Sequence, residues 1–335
     1  MLLSCQNVSY GLVCVDFKAK TMIHLPQDLL DAIHNAFPRQ PQQSALMLRT
    51  NYQNNHNHQS MHDTYILSRM PATYAAILNV LLEIPSQSPI KTVLDIGSGP
   101  GTGLWALMQQ FTTLTHYSGL EADHQFIRLA QILAPKHKGL KIHWHNGVYP
   151  KHLPDIKADL VLMSYTLGEN PQQTLRDTIA QVWTHNTAEW IVIVEPGTPK
   201  GFNVILEARH WITQHGGYIY APCKGNAACP LSKSDWCHFS TRLLRPPFQQ
   251  TIKQGTLSYE DEKYSYLIAR KSPLTFTEEE WRVIKKPVLR SGHVVLDVCA
   301  DGTYKRITLP KSQKELYQNA RHIQWGDSWQ NIKAK

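Results

Sequence analysis

The apolar positions of this chain change their period three times. Between residues 26 and 85 they recur at helical spacing, in LPQDLLDAIHNAF and again in YILSRMPATYAAILNVLLEI, which predicts an N-terminal helical region over 1–85. The polar stretch between those runs, NYQNNHNHQSMHD, predicts a solvated loop carrying His56, His58 and His62. From about 90 to 221, short apolar runs of strand length alternate with helical faces. From 222 onward the chain turns loop-rich and basic, then strand-like. No internal repeat interrupts this order.

The middle region carries the clearest local pattern. KTVLDIGSGPGTG is an apolar strand ending in Asp95, then Gly97, Gly99 and Gly101 on a turn. A helix follows, whose apolar face is Leu104, Leu107, Met108 and Phe111. Glycines belong at a strand-to-helix turn where a ligand approaches bare backbone. The spacing is D-x-G-x-G-x-G rather than the dinucleotide G-x-G-x-x-G. An acid just before the first glycine disfavours a pyrophosphate and suits a cationic or zwitterionic ligand.

This pattern resembles motif I of the class I S-adenosylmethionine-dependent methyltransferases, and the following segments extend it. A strand over 117–120 ends in Glu121, 26 residues beyond Asp95, where such folds hydrogen-bond both ribose hydroxyls. A helix with Phe126, Leu129, Ala130 and Leu133 on one face follows. KIHWH reads as a third strand, and its exit residue Asn146 stands where that family often has an acid facing adenine. ADLVLMSY and EWIVIVEPG read as fourth and fifth strands, GYIYAP as a sixth and DEKYSYLIARK as an antiparallel seventh. Apolar strands buried on both faces fit a parallel sheet covered by helices. The expected fold class is α/β: a Rossmann-like, seven-stranded methyltransferase domain over 86–271, with a cysteine-rich insertion at 222–258.

Candidate chemistry is thinner. After the fourth strand the chain reads SYTLGEN, without the N/D-P-P-Y/F motif of exocyclic amine methylation, and no cysteine nucleophile follows strand four or five. Tyr165 and Glu169 are the candidates for orienting an acceptor or taking its proton, and a structural role in a tight loop is the competing reading.

Four cysteines make a second candidate site. Cys223, Cys229 and Cys237 fall in APCKGNAACPLSKSDWCHF, and Cys299 ends the run VVLDVC, giving C-x5-C-x7-C-x61-C. Three thiols in a Gly/Pro/Asn/Ser-rich loop and a fourth on a strand can close a tetrahedral thiolate site for zinc or an iron–sulfur cluster. Cys229 is followed by Pro230, as in bacterial ferredoxin ligand runs, which tips the expectation toward iron. His238 competes for the fourth position, but its adjacency to Cys237 favours Cys299.

Composition narrows the class. The chain has 335 residues, 42% of them hydrophobic, and no apolar run approaches the ~20 residues that span a bilayer, so no membrane partner is expected. Six cysteines are too few for a disulfide framework in a chain this long. A net charge of +8 points to a polyanionic partner. Arg242, Arg245, Arg282, Lys285, Lys286, Arg290, Lys305, Arg306 and Lys311 cluster in the third region, where a basic β extension over 272–335 supplies Cys299 and is expected to contact RNA backbone. The first 21 residues carry no secretory or Arg-rich presequence pattern, and Met22 is an alternative start.

Taken together, SRMPATYAA, VLDIGSGPGTG, SYTLGEN, VEPGTPKGF, the cysteine segment, YSYLIARK, GHVVLDVC and ARHIQWGDSW resemble the methyltransferase-like proteins of the mitochondrial small ribosomal subunit and their bacterial relatives. The resemblance runs over 65–329. It implies an S-adenosyl-L-methionine fold with Asp95, Gly97, Gly99, Gly101, Glu121 and Asn146 at the cofactor, and a [4Fe-4S] cluster on Cys223, Cys229, Cys237 and Cys299. It also implies partnership with the small ribosomal subunit and its rRNA, by rRNA methylation or by subunit assembly; the residues leave the oligomeric state open, with a monomer the expectation. A non-catalytic assembly factor that binds RNA through a metal-organised surface is the rival reading. A bacterial cytoplasm is the expected setting, or the mitochondrion for a eukaryotic source.

Overall fold

The computed structural model describes residues 5–6, 13–14, 22–38, 58–169, 171–231, 235–273 and 280–330. Its centre is an eight-stranded sheet built from β1 Thr92–Ile96, β2 His116–Glu121, β3 Lys141–Asn146, β4 Ala158–Ser164, β5 Thr187–Pro196, β6 Tyr218–Ala221, β7 Phe239–Leu244 and β8 Tyr259–Arg270. The order is β3-β2-β1-β4-β5-β8-β6, with β7 also on β8. The first five strands are parallel, and β8 runs antiparallel to β5. This is the class I methyltransferase order, with the antiparallel seventh strand in its expected place. Val161, Leu162, Ile191, Val192 and Ile193 are fully buried because helices cover both faces.

One face is covered by α1 Gln27–Ala36, α2 His58–Ser68, α3 Met70–Leu81, α4 Thr102–Gln110 and α5 His124–Leu133, and the other by α6 Gln172–Gln181 and α7 Pro199–Gln214. The helical layer before residue 85 shares one apolar cluster with the sheet, through Leu29, Ile66, Met70 and Ile77. The polar His/Asn stretch departs from expectation at its end. His56 lies outside the described residues, but the chain is helical from His58, and His62 is buried with Nε2 2.7 Å from Asp123 Oδ2. Tertiary contact with the N-cap of α5, not local propensity, puts that polar segment in a helix.

The edge of the sheet also departs from expectation. Tyr264 pairs with Pro196 on one side and with Phe239 on the other. So β6 and β7 lie along the same edge of β8, and residues 222–238 are an excursion from that edge. Part of the expected insertion is therefore core sheet: β7 alternates buried Phe239, Thr241 and Leu243 with half-buried neighbours. Helix α8 Pro247–Lys253 then returns the chain to β8.

A separate antiparallel sheet closes the C-terminal end. It comprises β9 Glu280–Val283, β10 Val288–Leu289, β11 His293–Ala300, β12 Thr303–Pro310 and β13 Ser328–Gln330, with α9 Lys314–His322 packed on it. Val294, Leu296, Val298, Trp281 and Tyr317 form its own core. The opposite face of β11 carries Cys299 toward the large sheet.

Candidate cofactor cleft and thiol centre

The strand order reverses between β1 and β4, and ligands of open α/β sheets bind beyond the carboxyl ends at such a point. The turn after β1 has Gly97, Gly99 and Gly101 at φ of +70°, +53° and +81°. A Cβ on Gly97 would stand 2.3 Å from Thr166 Oγ1, and one on Gly101 would stand 2.9 Å from Trp144 Cη2. Both positions exclude a side chain. The turn is tied to β2: Gly97 and Ser98 donate to the Leu120 carbonyl, at 2.8 and 3.1 Å.

Glu121 closes the same loop. Its Oε2 accepts the Gly99 N–H at 2.8 Å and its Oε1 the Asp123 N–H at 2.9 Å. Asn146 donates from Nδ2 to the carbonyls of Glu121 and Ala122, at 3.2 and 3.0 Å, and so braces the turn after β2.

Asp95 is not the open anion that its position in the sequence suggests. It is 1% exposed, and its Oδ2 accepts the Tyr117 hydroxyl at 2.7 Å. Burial raises its carboxyl to about 7; the Tyr117 hydrogen bond opposes the rise and the Glu121 charge adds to it. Its Oδ1 and Thr102 Oγ1 have no hydrogen-bond partner among the described residues, which leaves unused polar capacity beneath the loop.

The loop after β4 holds Tyr165 and Glu169. Tyr165 sits at φ +56°, rare for a bulky residue, and donates its hydroxyl to Glu262 Oε1 at 3.1 Å. Glu262 in turn binds Arg69, the turn residue between α2 and α3, at 2.9 Å. The Tyr165 hydroxyl is thus committed to a structural network. Glu169 is exposed, and its carboxyl is raised by desolvation and then by the charge of Glu121. Tyr65 of α2 is raised by burial and also feels both Glu169 and Glu121, which places it beside the cleft. The loop is anchored by buried Glu195, whose Oε1 accepts the N–H groups of Leu167 and Gly168 at 2.9 and 3.3 Å. Burial raises Glu195 to about 7.

Sequence reasoning missed Tyr65, Arg69, Trp144 and Glu195. Glu195 alone had a local signal, as an acid at the carboxyl end of a parallel strand.

All four predicted cysteines, Cys223, Cys229, Cys237 and Cys299, line one cavity, together with Arg209, Pro230, Leu231 and Tyr266. Cys237 and Cys299 are buried, and Cys223 and Cys229 half-buried. A hydrogen bond with Cys299 lowers the Cys223 thiol, while the same bond and burial raise Cys299. Burial raises Cys229 and Cys237. The loop is shaped by polar contacts: Arg209 donates to the Gly225 carbonyl at 2.8 Å, and the Ala227 N–H donates to Asp301 Oδ1 at 2.7 Å. Among the described residues, no group of three or more His, Cys, Asp or Glu side chains is placed to hold a metal ion. His238 turns away into a ring stack with Trp236.

Most of the predicted RNA-contacting cations prove to be spent within the protein. Arg282 is 5% exposed, bonds Glu83 at 2.8 and 2.9 Å, and donates to the carbonyls of Pro222 and Gly326. Lys285 pairs with Asp235, Arg245 with Glu260, and Arg242 with Asp261 while lying over the Tyr259 ring. Lys305 covers the Trp281 ring at 4.3 Å. Lys286, Arg290, Arg306 and Lys311 make no ion pair among the described residues. Pairing with nearby carboxylates, invisible in a one-dimensional charge run, divides the two groups.

Residues 59–330 match the family model described as Mitochondrial small ribosomal subunit Rsm22. The human ribosome assembly protein METTL17, mitochondrial, is 28% identical over 287 residues, covering 78% of this chain and 61% of the relative. The Schizosaccharomyces pombe Rsm22-cox11 tandem protein 2, mitochondrial, is 26% identical over 328 residues, covering 78% and 42%. The Saccharomyces cerevisiae ribosome assembly protein RSM22, mitochondrial, is 25% identical over 240 residues, covering 42% and 38%. The chain therefore spans between 38% and 61% of the length of these relatives. Among solved structures, the magnesium protoporphyrin IX methyltransferase of Synechocystis with bound SAM aligns at TM-score 0.40 and 15% identity, over 73% of this chain and 98% of that one.

Proposed function

The chain belongs to the Rsm22 family of the mitochondrial small ribosomal subunit, and we propose that it binds S-adenosyl-L-methionine at the glycine turn and serves small-subunit assembly. The observation that carries this reading is the family match over 59–330, which takes in both the cleft and the thiol centre. The glycine turn at the switch point, Glu121 beside it and the unpaired Asp95 Oδ1 and Thr102 Oγ1 support a polar, zwitterionic ligand. The relatives' compartment supports the mitochondrial one of the two expected settings.

Within this reading, Cys223, Cys229, Cys237 and Cys299 would hold a [4Fe-4S] cluster. The four thiols share one cavity and Cys229 is followed by Pro230, which favours the cluster, with zinc the alternative. Such a group would supply a structural staple between the 222–238 excursion and β11. Arg209 and Arg282 act electrostatically on the thiols and would offset thiolate charge there.

Catalysis on rRNA is the second reading. Glu169, exposed and beside Glu121, favours it, whereas the commitment of Tyr165 to Glu262 favours an assembly role without methyl transfer.

The test pairs two measurements on purified protein. Calorimetry should show S-adenosyl-L-methionine binding that Glu121→Ala weakens by roughly tenfold or more. The tagged protein should also sediment with small subunits from cells. A wild-type protein that binds neither would sink the proposal.

A further inference from the structure

Helix α7 turns two faces inward. Val204, Ala208 and Ile212 pack with Ile191 and Ile193 of the large sheet. Phe202, Ile205, Leu206 and Arg209, spaced i, i+3, i+4 and i+7, line the cavity of Cys223, Cys229, Cys237 and Cys299. An otherwise apolar stripe thus ends in a cation at the thiols. The guanidinium is held there: Nη2 donates to the Gly225 carbonyl of the cysteine loop at 2.8 Å. Gly225 sits at φ +106°, and a Cβ on it would stand 2.3 Å from Asp301 Cγ. The acceptor is therefore locked between α7 and the turn after β11.

Three other cations flank the thiol loop, and each has a carboxylate. Arg282 bonds Glu83, Lys224 bonds Glu280 and Lys285 bonds Asp235. Glu207, on the same helix as Arg209, is taken by Arg176 at 2.7 Å. Arg209 makes no ion pair among the described residues. Desolvation lowers its guanidinium, and the thiols of Cys229 and Cys223 oppose that ahead of Asp301. Asp301 is exposed and accepts the Ala227 N–H. Drawing a guanidinium toward an apolar cavity without a counter-ion is costly, so such a charge marks where a negative group belongs. Four thiolates around an iron–sulfur core leave a net negative charge, and reduction adds to it. We infer that Arg209 is the counter-charge of the four-cysteine site, holding its reduction potential up and its iron in place. This rests on the cluster reading above and assigns the residue that poises it.

Full-length protein can be purified without oxygen, assayed for iron and sulfide, and titrated with dithionite while electron paramagnetic resonance follows reduction. Arg209→Met should disfavour one-electron reduction by roughly tenfold, a downward shift of about 59 mV. Arg209→Lys, which keeps the charge and loses the planar fork, should stay within about threefold of the wild type. Coincident potentials for Arg209→Met and wild type, or equal shifts in the Met and Lys variants, would overturn the inference alone. Should the Met variant load no iron, the Lys variant decides. Iron retained with Lys supports the counter-charge, whereas iron lost from both would reduce Arg209 to a tether for Gly225 and overturn it. A wild type that carries zinc, or no metal, would overturn the cluster reading with it.

Discussion

The cofactor cleft and the thiol centre lie in one chain but are assembled in opposite ways. The cleft is local: β1, its three glycines and Glu121 fall between residues 92 and 121, and backbone hydrogen bonds among them set the turn. The thiol centre is distributed: three cysteines ride on an interruption of an edge strand, and the fourth arrives on another sheet. What holds the second arrangement is a set of ion pairs between the two bodies: Arg282 with Glu83, Lys224 with Glu280, and Lys285 with Asp235. The difference teaches where each site is vulnerable. The cleft depends on conformations that only glycine tolerates cheaply, and the thiol centre on buried charge.

The sharpest way to break this contrast is at Glu83. Removing it leaves the 5% exposed Arg282 without its carboxylate, and a buried charge stripped of its partner costs about 3–5 kcal/mol. Glu83→Ala should therefore lower the free energy of unfolding by that amount in a denaturant titration. Cofactor binding by the protein that remains folded should be unchanged. Equal stability of variant and wild type would mean that the sheets are held by something else.

A second effect should come from the cleft, as a pH dependence. Asp95 has a folded value of about 7 against 3.8 when unfolded, so the native state binds its proton more tightly. Its contribution is most favourable below about pH 4 and is lost as pH rises through 4–7. Above that window the ionised, buried carboxylate costs on the order of 4 kcal/mol. Asp95→Asn should flatten this slope relative to the wild type. Glu195, raised to about 7 by burial, adds a slope of the same sign that persists in the variant. Parallel pH profiles for Asp95→Asn and wild type would refute the assignment.

The smallest effect should be at Arg242. Its pair with Asp261 is exposed on both sides, and such pairs contribute about 0–1 kcal/mol. Arg242→Ala should shift stability by less than about 1 kcal/mol. A large loss would show that the cation–π contact with Tyr259 does more than the ion pair.

Much of the large sheet was legible because each buried parallel strand is a continuous apolar run with a turn after it. TVLDI, DLVLM and WIVIV announce themselves in that way, and the glycine turn follows from the φ values it needs. Strand β7 was not legible. FSTRLL alternates like a half-buried strand, but it sits among prolines, arginines and cysteines that read as an insertion. His62 was hidden in a polar run because its partner, Asp123, lies 61 residues away.

By itself the sequence determined the order of the α/β elements, the backbone chemistry of the glycine turn and which four thiols could share a site. Those follow from periods, φ requirements and residue type, all properties of short segments. The tertiary structure alone decided that Asp95 is buried near neutrality, that Tyr165 is bound into a Glu262–Arg69 network, and that Arg282 is an internal tie rather than an RNA contact. A carboxylate's ionisation and a cation's availability depend on burial and on partners far along the chain. Folding supplies both, and neither is a property of any local run of residues.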